Sequence, residues 1–181
     1  MNINKIDPFI WGPSAWHILH NVSINSKVTD VSKQTYLDFL QLFRHIIPCP
    51  QCKVNLQDKY KMIPMTNDSI SNSNMTQWVY TIHNTVNIDT NKSICDYNKH
   101  IELHTPVNNK KYRKFINILL DIMGPNPSYE EFIKIHNFIE QLYKVYPNRT
   151  KNEYNTWFRS YNLISSPSEL IKWFNSTTIF C

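Results

Sequence analysis

Residues 36–52 constrain this chain more than any other stretch. Phe39, Leu40, Phe43, Ile46 and Ile47 fall on one stripe at helical spacing, and the stripe runs directly into Cys49-Pro50-Gln51-Cys52. Two thiols at this separation can close a disulfide and open it again, so the chemistry suggested is electron transfer through sulfur. A thioredoxin-type site needs a β-strand leading into the pair and a βαβ unit around it. Here a helix leads in and a second helix, predicted over residues 50–62, leads out. The pair sits between helices.

A thiol at a helix N-terminus faces unpaired N–H groups that lower its pKa and populate the thiolate, the species that attacks a disulfide. Lys53 adds positive charge beside the pair. Half of a zinc site is the competing reading of the tetrapeptide. A structural zinc site takes four N or S ligands, usually as two paired sets. The sequence has no second Cys-x-x-Cys and no histidines spaced behind this one in a finger-like pattern, so no metal site is predicted. The other cysteines are Cys95 and Cys181.

At 181 residues, with 41% hydrophobic and 13% aromatic content, the chain has ample material for a core. Only two glycines occur, which excludes glycine-rich phosphate loops of the Rossmann or P-loop kind. The formal charge of +5 is spread along the sequence and reads as a solvated surface, so no nucleic-acid partner is expected. No apolar run approaches the roughly 20 residues of a membrane span, and the first residues lack the apolar core of a signal peptide. A reducing cytosol is the expected compartment, and a cysteine pair there is more often catalytic or metal-binding than structural.

Periodicity and capping residues predict an all-α fold with helices over about residues 12–25, 31–47, 50–62, 74–90, 110–123, 129–146 and 167–175. Asp30 is the expected N-cap of the second. Ser128 with Glu131, and Ser166 with Glu169, read as capping boxes. A soft boundary near His104-Thr105-Pro106 divides residues 1–104, which carry the thiol chemistry, from an aromatic-rich helical unit over residues 105–181 whose role the sequence leaves open. In that unit Tyr129, Phe132, Ile139, Leu142, Tyr143 and Tyr146 form an apolar stripe that needs a partner surface.

Two further segments carry chemistry. Gly12, Trp16 and His20 recur every fourth residue on one helix face, where an aromatic platform and an imidazole can meet a planar ring over a small residue. His83 and Asn87 stand one turn apart, with Asn84 adjacent and Lys92 beyond; amides and imidazoles suit a ribose or adenine edge and a lysine suits a phosphate. A core face with a satisfied histidine, and helix capping by asparagine, are the plain readings of each segment alone.

Read in order, the three segments resemble the Erv/ALR family of FAD-dependent sulfhydryl oxidases. The Trp-Gly-x-x-x-Trp-x-x-Leu-His element matches residues 11–20, Phe-x-x-x-(apolar)-Pro-Cys-x-x-Cys matches 43–52, and Trp-x-x-x-x-His-Asn-x-Val-Asn-x-x-x-x-Lys matches 78–92. The resemblance implies a four-helix bundle with a short fifth helix, FAD at its mouth and a homodimer. It makes Cys52 the flavin-proximal thiol and Cys49 the one that exchanges with incoming dithiols. Gly12, Trp16, His20, His83, Asn84, Val86, Asn87 and Lys92, together with Cys52, would line the FAD. Protein dithiols, with a thioredoxin-like carrier among the candidates, would be oxidised to disulfides. Their electrons would pass through FAD to molecular oxygen, giving hydrogen peroxide.

The chain departs from the family pattern in three places. Pro13 stands where a basic residue is common, Asn25-Ser26 replaces an aromatic pair, and Cys95 lacks the partner of the family's C-terminal structural disulfide. Residues of the C-terminal unit are candidates to close the flavin pocket differently. Cys95 and Cys181 are either shuttle thiols or idle ones. Two rival readings stay open: a helical adaptor that keeps the scaffold with the Cys pair as a staple, and a flavin-independent dithiol exchanger. The codon flavour of the composition suggests a virus or protozoan, hence a host cytoplasm or a virion.

Overall fold

The computed structural model describes residues 7–147, 149–178 and 180, and every regular element among them is a helix. In chain order these are α1 (Pro8–Ile24), α2 (Lys33–Ile46), α3 (Pro50–Met62), α4 (Asn72–Asp89), α5 (Tyr97–His104), α6 (Asn109–Met123), α7 (Tyr129–Val145), α8 (Lys151–Tyr161) and α9 (Pro167–Ser176). None of them is long and apolar enough to cross a membrane.

Helix starts follow local chemistry. Asp7 caps α1 by accepting the Phe9 N–H at 2.9 Å, with Pro8 supplying a preset φ at the first helical position. α1 therefore begins at Pro8, four residues before the expected position. The predicted Asp30 cap is not used. Ser32 holds the N-cap position of α2 without a side-chain bond, while the Asp30 carboxylate meets Lys33 at 2.9 Å. The capping box at Ser128 and Glu131 is present in both directions. At α9 only half of it forms, because the Glu169 carboxylate turns back one residue further, to the Ser165 N–H.

The two helices missed from sequence, α5 and α8, are capped by Asp96 and by a Thr150–Glu153 box. Helix α5 buries little besides His100, so it carries almost no apolar period to read. It supplies the short fifth helix that the resemblance implies.

α1 packs along α4 and α6, and α2 packs along α7. The core is continuous through these contacts. Phe43 lies 6.0 Å from Phe115 of α6 and 5.9 Å from Phe138 of α7, and Phe39 lies 6.2 Å from Phe138. Of the apolar stripe on α7, Phe132, Ile139, Leu142 and Tyr143 are buried; Tyr129 is not part of it, standing 78% exposed at the helix start. Asn21 is the buried polar rivet at this seam. Its amide donates to the carbonyls of His104 and Thr105 at 2.7 and 3.0 Å, and its Oδ1 accepts from the Tyr112 hydroxyl at 2.9 Å. Asn25, one of the departures noted above, adds a bond to the Thr105 carbonyl at 3.0 Å. These bonds fix the mouth of the bundle against α6.

Candidate active site

Cys49 is the N-cap residue of α3 and Pro50 its first helical residue. The two half-buried cysteines are joined as a disulfide with Cα atoms 5.2 Å apart. The helix N-terminus serves Cys49 and not Cys52: the Cys52 backbone N–H reaches the Cys49 Sγ at 3.1 Å. A donor aimed at sulfur favours its thiolate, so this backbone N–H supports Cys49. Burial lowers the Lys53 ammonium pKa, Lys134 of α7 lowers it further, and Glu131 partly opposes the shift.

Beside the disulfide lies a cavity of about 480 Å³, within the roughly 300–1,000 Å³ typical of small-molecule sites. Helix α1 lines it with Trp11, Gly12 and Trp16, α3 with Cys52, and α4 with His83, Val86 and Asn87; Lys92 stands at its edge. Cys49, expected as the distal thiol, is off its wall, and so are two of the residues expected to line it. His20 is fully buried behind the lining. Asn84 is half-buried on α4. The sequence reading missed His104 and Lys111, which line the cavity from α5 and α6. The His100/His104 pair, one helical turn apart, was the available signal for the first.

Trp16 and His83 form one wall as a stacked pair, with ring centroids 3.9 Å apart and planes within 8°. Behind them His20 Nε2 meets His83 Nδ1 at 2.7 Å. Burial takes His83 and His17 down to about 4 and His104 to about 3, and holds His20 well below the usual imidazole range. Lys111 adds to the shift of His17, neighbouring histidines to that of His20, and both kinds of neighbour to those of His83 and His104. At neutral pH these rings are uncharged hydrogen-bonding groups, and the cations at the cavity are Lys92 and Lys111. A Cβ built on Gly12 meets no atom within 4 Å, so the helix surface next to Trp16 is open space.

Cys95 is a free thiol, half-buried, and its carbonyl accepts from the Tyr80 hydroxyl at 2.8 Å. Cys181, the other candidate shuttle thiol, lies outside the described residues.

The Erv1/Alr family model matches residues 13–113, a span that ends inside α6. A probable FAD-linked sulfhydryl oxidase of Acanthamoeba polyphaga mimivirus is 31% identical over 100 residues, covering 54% of this chain and 70% of that protein. A putative FAD-linked sulfhydryl oxidase of Invertebrate iridescent virus 3 is 27% identical over 90 residues, covering 49% of this chain and 61% of that protein. No solved structure matches. With the family model covering more than half of its residues, and a helical cavity flanked by a Cys-x-x-Cys disulfide at its centre, this chain belongs to the Erv1/Alr family.

Proposed function

We propose that this chain is an FAD-linked thiol oxidase. Cys49 and Cys52 take two electrons from a protein dithiol, and the adjoining cavity holds the flavin through which oxygen is reduced to hydrogen peroxide. The observation that carries this reading is the asymmetry of the disulfide: Cys52 lines the cavity and Cys49 does not.

The residues present fit the cofactor. A planar ring system needs an apolar slot, and Trp16, Val86 and Leu56 supply one, with open space over Gly12. A dinucleotide needs uncharged hydrogen-bonding groups and cations for its phosphates. His83 and Asn87 are the former and Lys92 and Lys111 the latter. When bound, FAD supplies a two-electron acceptor that oxygen can reoxidise.

The protein's own share is thiol exchange and positioning. A substrate thiolate attacks the Cys49 Sγ, forming a substrate–Cys49 bond, breaking the Cys49–Cys52 bond and releasing Cys52 as a thiolate on the cavity wall. The second substrate thiolate attacks the substrate sulfur of this mixed disulfide and expels Cys49. The substrate leaves oxidised and the protein pair reduced, with two electrons transferred. Expulsion is faster for a sulfur of lower pKa, and the Cys52 N–H held against Cys49 favours that departure. The neutral imidazoles keep positive charge away from the apolar wall, leaving phosphate recognition to the lysines.

The test is a visible spectrum of the purified protein, followed by oxygen uptake with a small dithiol. Flavin bands near ~450 nm and oxygen consumption are expected. Cys49→Ser and Cys52→Ser should each abolish uptake, and Cys49→Ser alone should retain a thiolate facing the flavin, seen as a long-wavelength charge-transfer band. Protein that stays colourless after reconstitution with FAD sinks the oxidase reading and favours the adaptor. Turnover by Cys52→Ser reverses the proximal and distal assignments.

A further inference from the structure

His20 on α1 and His100 and His104 on α5 each bring a ring nitrogen to a common point, the three nitrogens lying within 4.8 Å of one another. His100 and His104 are one turn apart and so share a face of α5. Their ring centroids stand 4.0 and 4.5 Å from that of His20. His20 is 0% exposed and His100 3%. Neither His20 Nδ1 nor His100 Nε2 has a hydrogen-bond partner among the described residues. Buried polar atoms are nearly always satisfied, so two bare imidazole nitrogens in one cluster point to a missing partner, which is a lone-pair acceptor when each ring carries its proton on the other nitrogen.

The outer nitrogens are arranged as a metal centre requires. A ligating histidine is commonly oriented by a hydrogen bond from its other ring nitrogen. His20 Nε2 is engaged by His83 Nδ1 at 2.7 Å, which leaves Nδ1 as the nitrogen His20 can offer. His104 Nδ1 lies 3.3 Å from His17 Nδ1. We propose that His20, His100 and His104 form a zinc site with three imidazole ligands and an open fourth position. Three neutral nitrogen donors suit Zn²⁺, whose Zn–N bonds of about 2.0–2.1 Å require the nitrogens to close to roughly 3.4 Å. A bound Zn²⁺ would have to draw the three rings together by side-chain rotation. The site uses neither active thiol and stands independently of the oxidase reading, although His104 is shared with the cavity wall.

The test is equilibrium dialysis against Zn²⁺ of the full chain with the Cys49–Cys52 disulfide closed, in a Cys95→Ser, Cys181→Ser background so that no free thiol competes. It is run with and without saturating FAD, with metal and flavin measured separately. One zinc per chain is expected in both arms, and Co²⁺ in its place should give the visible bands of a four-coordinate site. His100 does not line the cavity, so His100→Gln should lose the zinc and keep its flavin. His100→Cys should keep the metal and move the Co²⁺ spectrum through a new thiolate ligand, which tests the assignment even if the glutamine variant fails to fold. The proposal is overturned if the parent retains no zinc, if His100→Gln retains it undiminished, if His100→Cys leaves the Co²⁺ spectrum unchanged, or if zinc binds only without FAD. The last result would make the cluster part of the flavin site. A chain that takes zinc but no flavin would break the oxidase reading alone.

Discussion

The two ends of the molecule use their rings differently. In the C-terminal helices Tyr143, Trp157 and Tyr161 pack in a row with centroids 4.4 and 4.6 Å apart beside a second cavity of about 590 Å³, and the buried Tyr161 hydroxyl donates to the His136 carbonyl at 2.6 Å, while His136 Nε2 and Trp157 Nε1 stand apart without partners among the described residues. At the disulfide the rings gather into one cluster of imidazoles. The Trp16–His83 pair faces open volume, and the histidines behind it converge with bare nitrogens. Close packing contributes stability, whereas a ligand site needs polar groups left unsatisfied until the ligand arrives. The difference teaches that neither open volume nor a lone bare nitrogen marks the working face; a cluster of imidazoles beside a disulfide does, and α6 and α7 are the buttress packed behind it.

Removing the buttress should have the largest effect. A chain ending at residue 104 loses α6 and α7 and exposes Phe39 and Phe43, so cooperative thermal unfolding followed by circular dichroism should vanish and light scattering should report aggregation. A soluble 1–104 fragment with a sharp transition and bound flavin would break the comparison. Next comes an exchange of single rings. Phe138→Ala, deep in the seam, should cost about 3–5 kcal/mol in denaturant unfolding, with flavin content per folded chain unchanged. Trp16→Ala, half-buried at the cavity, should cost less stability and lose the flavin. If the two variants behave alike, the division into buttress and working face is wrong.

Acid should act on the working face. His17, His83 and His104 have folded-state pKa values of about 4, 4 and 3, below the ordinary imidazole value of 6.5. Depressed histidines bind protons in the unfolded chain first, so their stability contribution is complete above about pH 6.5 and is lost as pH falls toward about 4. The melting temperature of the metal-free protein should therefore drop across that window, and replacing His83 with Gln should flatten the drop; an equal slope in that variant would contradict the assignment. The smallest effect is expected at a cap of the buttress. Ser128→Ala removes one half of the box that starts α7 and should cost about 1 kcal/mol, read as a shift of the denaturant midpoint at constant slope.

Much of this architecture was legible in the sequence because it is written in local periods. The stripe on α2, the start of α3 at Pro50 and the box at Ser128 all depend on residues within a few positions of one another. The face of Gly12, Trp16 and His20 was legible for the same reason, although only the fold shows that His20 ends up behind the wall. Long-range additions were not readable. His104 and Lys111 reach the cavity through a seam fixed by Asn21 and Tyr112, residues 91 positions apart, and no local pattern announces such a bond. Helix α5 escaped because its useful residues are histidines, which carry no apolar signal. Which sulfur the N-terminal amides of α3 serve depends on the backbone at Cys49, and spacing alone does not reveal it.

The pairing of α1 with α6 and of α2 with α7 also sets an order of events during synthesis. At roughly 5–20 residues per second a ribosome takes on the order of 3–12 s to add the 59 residues from Cys52 to Lys111. Throughout that interval Cys49 and Cys52 already exist while the side of their chamber that Lys111 completes is unfinished. The nascent thiols therefore stand in an incomplete pocket until α6 has been made. The helices after α6 add no residue to the chamber wall, so every lining residue is in the chain before they are made.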